Sequence, residues 1–246
     1  MRDDLLDAQA SVDWAVSQLP AFSEKLGTWL GLNVEVGIKD VPPPATHNPI
    51  VAIEKAPLPL FFNVEMGAYL NAIRSSLDIL ASALARLYDI PRPVKAYFPI
   101  ASSKTAFAAG NYKGSHFVKG LPLPERGFIE ALKPYKGGNK TLWGLHQLDI
   151  VRKHRRLLDV QINPQRLTLS SGAALPDDFA PVAIGWLRVN EETVLGLIRK
   201  GASDYEMKFI PYVAFNEVEI AEGQPIIPIL HQCANMAQAI IKLFDV

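Results

Sequence analysis

His146, Asp149 and Lys153 recur at three- and four-residue spacing in the run from His146 to Arg156, and that spacing stacks them on one face of an α-helix. They stand between Leu142, Ile150 and Leu157, inside the arc that such a helix should turn to the core. Polar groups placed there must find partners. A histidine beside a carboxylate and an ammonium can also accept or deliver a proton, which makes these three the candidate catalytic residues. A second set, Asn71, Arg74 and Asp78, forms a narrow polar stripe on a segment whose remaining circumference carries Ile73, Leu77, Leu80, Leu84 and Leu87. With His154 and Arg155 these are the candidate ligand-binding residues.

The two stripes have complementary charges. Asp78 could meet Lys153 or His146, and Arg74 could meet Asp149, so that two helices lock in one register; Arg74 and Asp78 could equally pair with each other at i,i+4. One network supports two outcomes, a purely structural lock or the wall of a pocket. The cations from Arg152 to Arg156 could hold a phosphate or simply favour the negative end of the helix dipole.

Other chemistries lack their residues. The five histidines, His47, His116, His146, His154 and His231, include no pair at the separation of a His-Glu-x-x-His helix, and no metal site is expected. No glycine-rich phosphate loop and no Gly-x-Ser-x-Gly elbow occurs, and no cofactor is implied. Cys233 is the one cysteine; it excludes an intrachain disulfide and reads as a small core residue.

The elements that must position these groups follow from periodicity and punctuation. Leu5 to Leu30 reads as an amphipathic helix with Pro20 as a break or kink. Short strands are expected at Asn33–Ile38 and Ile50–Ile53, and the long central helix runs from about Phe62 to Tyr88. After an extended Tyr97–Ile100, the stretch from Ala101 to Gly120 reads as irregular, with one helical turn around Thr105 to Ala109. Helices follow at Glu125–Leu132 and Thr141–Leu158. Strands are then expected at Val160–Ile162, Arg166–Ser170, Val182–Val189, Thr193–Arg199 and Glu206–Val218. A last amphipathic helix, Ile226–Phe244, should cover a sheet face with Leu230, Cys233, Ala237, Ile240 and Ile241. The expected fold class is α+β, a helical N-terminal part and a C-terminal antiparallel β-meander closed by that helix. A single domain over 1–246 is expected, helix-rich to 158 and β-rich from 159.

Hydrophobic residues make up 49% of the 246 positions and charged residues 20%, so a large core can form. Lys+Arg and Asp+Glu both number 25, which supplies no global field for a phosphate polymer and disfavours nucleic acid as a partner. The most apolar stretch, Met66 to Leu87, carries Asn71, Arg74 and Asp78, so no membrane span is expected. A cytoplasmic protein fits these features, with self-association into a homo-oligomer and a small-molecule or phosphate ligand as the partners to look for.

The chain also resembles a family of uncharacterised bacterial proteins. The resemblance rests on Asn71-Ala72-Ile73-Arg74-Ser75-Ser76-Leu77-Asp78-Ile79-Leu80, on Phe98-Pro99-Ile100, on Pro134-Tyr135 and on Leu145 to Arg155, and it implies no activity. Where this chain has Ile79 the family pattern has histidine, and an Arg followed by such a histidine is similar to the motif of HEPN-type ribonucleases. That similarity implies an inactive relative here, or one that recruits His146 or His154. Three readings follow in order: a non-catalytic binding or interaction module, an enzyme acting on a small phosphorylated or nucleotide substrate, and a degenerate HEPN-like ribonuclease.

Overall fold

The computed structural model describes residues 2–91, 95–169, 180–181, 188–189, 192–201, 207–216 and 221–245. They cluster into two compact units, each assembled from separate stretches of chain. One comprises Met1–Phe22, Leu60–Asp159 and Phe215–Val246; the other comprises Ser23–Pro59 and Val160–Ala214. The architecture is α+β, with the long central helix, antiparallel pairing and closing helix that periodicity indicates.

The helical unit is built around α2, Phe61–Leu87, the second of seven α-helices in the described residues. Met66, Leu70, Ile73, Leu77, Leu80 and Leu84 are buried along it, and so are Asn63, Arg74 and Ser76. Burial nearly all round identifies a helix with neighbours on several sides. Those neighbours include α4 (Ser115–Gly120), α6 (Lys140–His154) and α7 (Ile226–Leu243). α3 (Lys104–Ala109) and α5 (Leu123–Ala131) complete the short helices. Leu230, Cys233, Ala237, Ile240 and Ile241 of α7 are all buried as the sequence indicates, and their helix packs on α2 and α6. Arg2 ties the chain start to the chain end: its backbone N–H donates to Asp245 at 2.7 Å and its guanidinium to the Phe244 carbonyl at 3.0 Å.

α1, Leu6–Asn33, runs through Pro20 without interruption, and the boundary between the units falls after Phe22. Pro20 is therefore accommodated inside the helix, not at its end.

In the other unit β1 (Val34–Ile38) pairs antiparallel with β2 (His47–Glu54), and β2 pairs with β6 (Glu192–Arg199). β4 (Ala180–Pro181) and β5 (Arg188–Val189) also pair with β6. The N-terminal hairpin thus joins the later strands β4, β5 and β6 in one sheet, where the sequence suggests a meander of C-terminal strands. A register shift between Ile50 and Val51 buries both of them together with Ala52, against the simple alternation of a regular strand. The two strands expected at Val160–Ile162 and Arg166–Ser170 are one strand, β3 (Val160–Leu169), which pairs with β7 (Met207–Phe215). Within β7, Val213, Ala214 and Phe215 are all buried. Residues 182–187 of the expected Val182–Val189 strand, Ser170 of the expected Arg166–Ser170 strand, and Glu206, Glu217 and Val218 of the expected Glu206–Val218 strand lie outside the described residues.

One glycine fixes the segment between α3 and α4. Gly114 has φ +93°, and a Cβ there would stand 2.2 Å from the Tyr97 carbonyl oxygen. Both the backbone conformation and the approach require glycine. Gly114→Ala is expected to lower stability by about 3 kcal/mol, read as a drop in the urea midpoint; an unchanged midpoint would contradict this packing.

Candidate functional site

α6 begins where Asn139 accepts a hydrogen bond from the Leu142 N–H at 3.0 Å, an N-cap placed just beyond the turn at Lys133 to Gly138. It ends at His154, short of the expected Leu158, because Asn63 holds the Leu158 carbonyl at 2.6 Å and that leucine is carried into the core. Gly67 of α2 lets the stem of Arg152 lie against its backbone; a Cβ at Gly67 would stand 2.6 Å from Arg152 Cδ. These contacts set α6 beside α2 and bring the two polar stripes to one place.

The charges pair along each helix and not across the gap. Arg74, 6% exposed, donates to Asp78 at 2.8 Å, and Lys153 meets Asp149 at 2.7 Å, both at i,i+4. Of the alternatives the sequence left open, Arg74 takes the i,i+4 pairing with Asp78, and the cross-helix pairs of Asp78 with Lys153 or His146 and of Arg74 with Asp149 give way to local ones, for which the helix already supplies the geometry. Asp78 does double service, since the same oxygen accepts the Phe98 N–H at 2.9 Å. That bond fastens the extended segment around Tyr97 to α2. Asp149 is only 4% exposed, and its second oxygen, enclosed and without a hydrogen-bond partner among the described residues, faces Arg152 Nε at 3.8 Å.

The seam is open on one side. A cleft of about 460 Å³ is lined by Arg74, Asp78, His146, Asp149, Lys153 and His154, together with Tyr97, Phe98, Ile100, Lys113 and Ile150. Six of the eight candidate residues therefore meet in one concavity. Asn71, half-buried one turn before Arg74, does not line it, and neither does Arg155, which is exposed beyond the end of α6. Lys113 and Tyr97 are additions that the sequence did not suggest. The Lys113 ammonium rests 3.6 Å from the centre of the Tyr97 ring, and no carboxylate among the described residues pairs with it. Their only advance signal is the glycine that follows Lys113.

The His146 imidazole lies well below its ordinary range. Burial and then the nearby Arg74 guanidinium push it down to about 4, against the opposite pull of Asp149 and Asp78. At neutral pH it is an uncharged imidazole offering one N–H and one lone pair. Cys233, fully enclosed on α7, is pushed up by burial to about 12 and is no nucleophile. Among the described residues no group of three or more His, Cys, Asp or Glu side chains is arranged to hold a metal ion, and no helix is long and apolar enough to cross a membrane.

Comparison with protein-family models, with curated proteins and with solved structures found no match.

The histidine gives a pH dependence with a definite sign. The folded chain protonates His146 near pH 4, whereas the unfolded chain does so near 6.5. Between those values the unfolded state binds the extra proton, so this group's contribution lowers stability as pH falls from 6.5 toward 4. Subtracting the stability curve of His146→Gln from that of the wild type should leave a difference that rises with pH across this window; a flat difference would mean an unshifted histidine.

Proposed function

We propose that the chain is a binding module whose α2–α6 cleft takes a small organic anion, a carboxylate or a phosphate ester. The observation that carries this reading is the division of charge in the cleft. Arg74 and Lys153 are already met by Asp78 and Asp149. Lys113, held over Tyr97, is the cation left for a ligand among the described lining residues. The neutral His146 adds a donor without adding charge. A ligand of one or two negative charges matches this set, with Tyr97 and Ile150 as apolar walls.

The same histidine argues against acid–base catalysis as the main task. A general base works best with a pKa near the working pH, and an imidazole at about 4 is both a weak base and almost never protonated at neutrality. Binding needs neither property. A cytoplasmic setting suits the single buried thiol.

The second reading, a degenerate ribonuclease of the HEPN type, draws on one observation: Ile79 stands where the motif needs histidine, while His146 of α6 lies close enough for Arg74 to depress its pKa. Cleavage of single-stranded RNA that disappears in His146→Gln would favour this reading over simple binding.

A thermal-shift screen of small carboxylates and phosphate esters should yield a ligand that raises the melting temperature of the wild type. Lys113→Ala should bind it at least about tenfold more weakly while melting as the wild type does without ligand. A bound carboxylate or phosphate ester without an aromatic ring whose affinity ignores Lys113 would contradict this assignment of the site.

A further inference from the structure

A second concavity of the helical unit, about 510 Å³, is formed by residues of α3, α4 and α5 with Tyr112 and Tyr135, and shares no lining residue with the α2–α6 cleft. Its aromatic wall consists of Phe107, Tyr112 and Tyr135. Phe107 and Tyr112 are stacked, with centroids 4.9 Å apart and planes at 17°, and Tyr135 lies 5.8 Å from Phe107. All three rings are half-buried. A packed core closes over its aromatics, and three rings left open around one hollow resemble the lining of a small-molecule pocket.

The charge around these rings is unbalanced. Lys104, Lys119 and Arg126 line the hollow, against Glu130 as the carboxylate among its lining residues. Arg126 is aimed by two bonds from the same nitrogen, to the carbonyls of Lys119 at 2.6 Å and Leu121 at 3.2 Å. Its enclosed Nε has no partner among the described residues. Lys119 closes the hollow beside Gly110, where a Cβ would stand 3.3 Å from the ammonium. Gly110 has φ +75° as the C-cap of α3, so the backbone conformation and the room for Lys119 both favour glycine.

We infer that this hollow is a second ligand site, for a small molecule that joins a flat aromatic ring to an anionic phosphate or carboxylate group. The ring packs against Phe107 and its two tyrosine neighbours, and the anionic group is met by Lys104, Lys119 and Arg126. Neither half of the hollow accounts for such a ligand alone: a purely apolar guest leaves the cations unanswered, and a bare anion leaves the rings exposed.

Phenyl phosphate is a probe with both halves. Titrated into the full chain and followed by NMR, it should move the ring signals of Phe107, Tyr112 and Tyr135 to saturation. Lys104→Gln combined with Lys119→Gln removes two exposed side chains and leaves Arg126 on its carbonyls; this variant should bind about tenfold more weakly. Inorganic phosphate, which lacks the ring, should also bind about tenfold more weakly than phenyl phosphate. Ring signals that stay still, an unchanged affinity in the double variant, or equal affinity for inorganic phosphate would each overturn the inference.

Discussion

A carboxylate enclosed in protein loses its water, at a cost of several kcal/mol that its surroundings must offset. Asp149 is such a group, and much of the helical unit can be understood as the means of satisfying it. Lys153, one turn along the same helix, supplies the counter-charge. Arg152 comes within 3.8 Å of the second oxygen because Gly67 leaves room for its stem. The close approach of α6 to α2 that this needs brings Arg74 and Asp78 to the opposite wall, and Asp78 in turn holds the Phe98 backbone.

That arrangement decides what the cleft can do. Each acidic group is ion-paired with a cation on its own helix, and burial and Arg74 keep the His146 imidazole uncharged at neutral pH, with one N–H and one lone pair. In the proposed reading a ligand meets Lys113 and Tyr97, on the connecting segments that Gly114 pins together, and the neutral His146 of α6. In that reading the helices provide the walls and the connecting segments the selective contact, a common division of labour in binding proteins.

The long helices were legible in the sequence because their apolar periods are long enough to set one face apart. So was the convergence of the two stripes, since polar residues inside an apolar arc had to meet something polar. Three features were not legible, each for a physical reason. α4 is six residues long with no capping side chain and ends in Gly120, too short for periodicity to register. The end of α6 is set by the grip of Asn63 on the Leu158 carbonyl, 95 residues apart in sequence, and by no local breaker. The choice of pairing within each helix over pairing between helices is a competition between two complementary geometries that spacing alone leaves open. Lys113 and Tyr97 belong to the same class, since a cation and a ring brought together by a glycine contact leave no repeating pattern.

The account depends most on Asp149 and Lys153 acting as one ion pair, and a double-mutant cycle of Asp149→Asn with Lys153→Met measures that coupling directly. Each single change should destabilise the chain, and the double variant should recover at least about 1 kcal/mol relative to the sum of the two, because the second substitution removes a group the first has already stranded. Effects that add to within about 0.3 kcal/mol would mean that the lysine does not hold the buried carboxylate, and the division of charge on which the proposed cleft rests would fall with it.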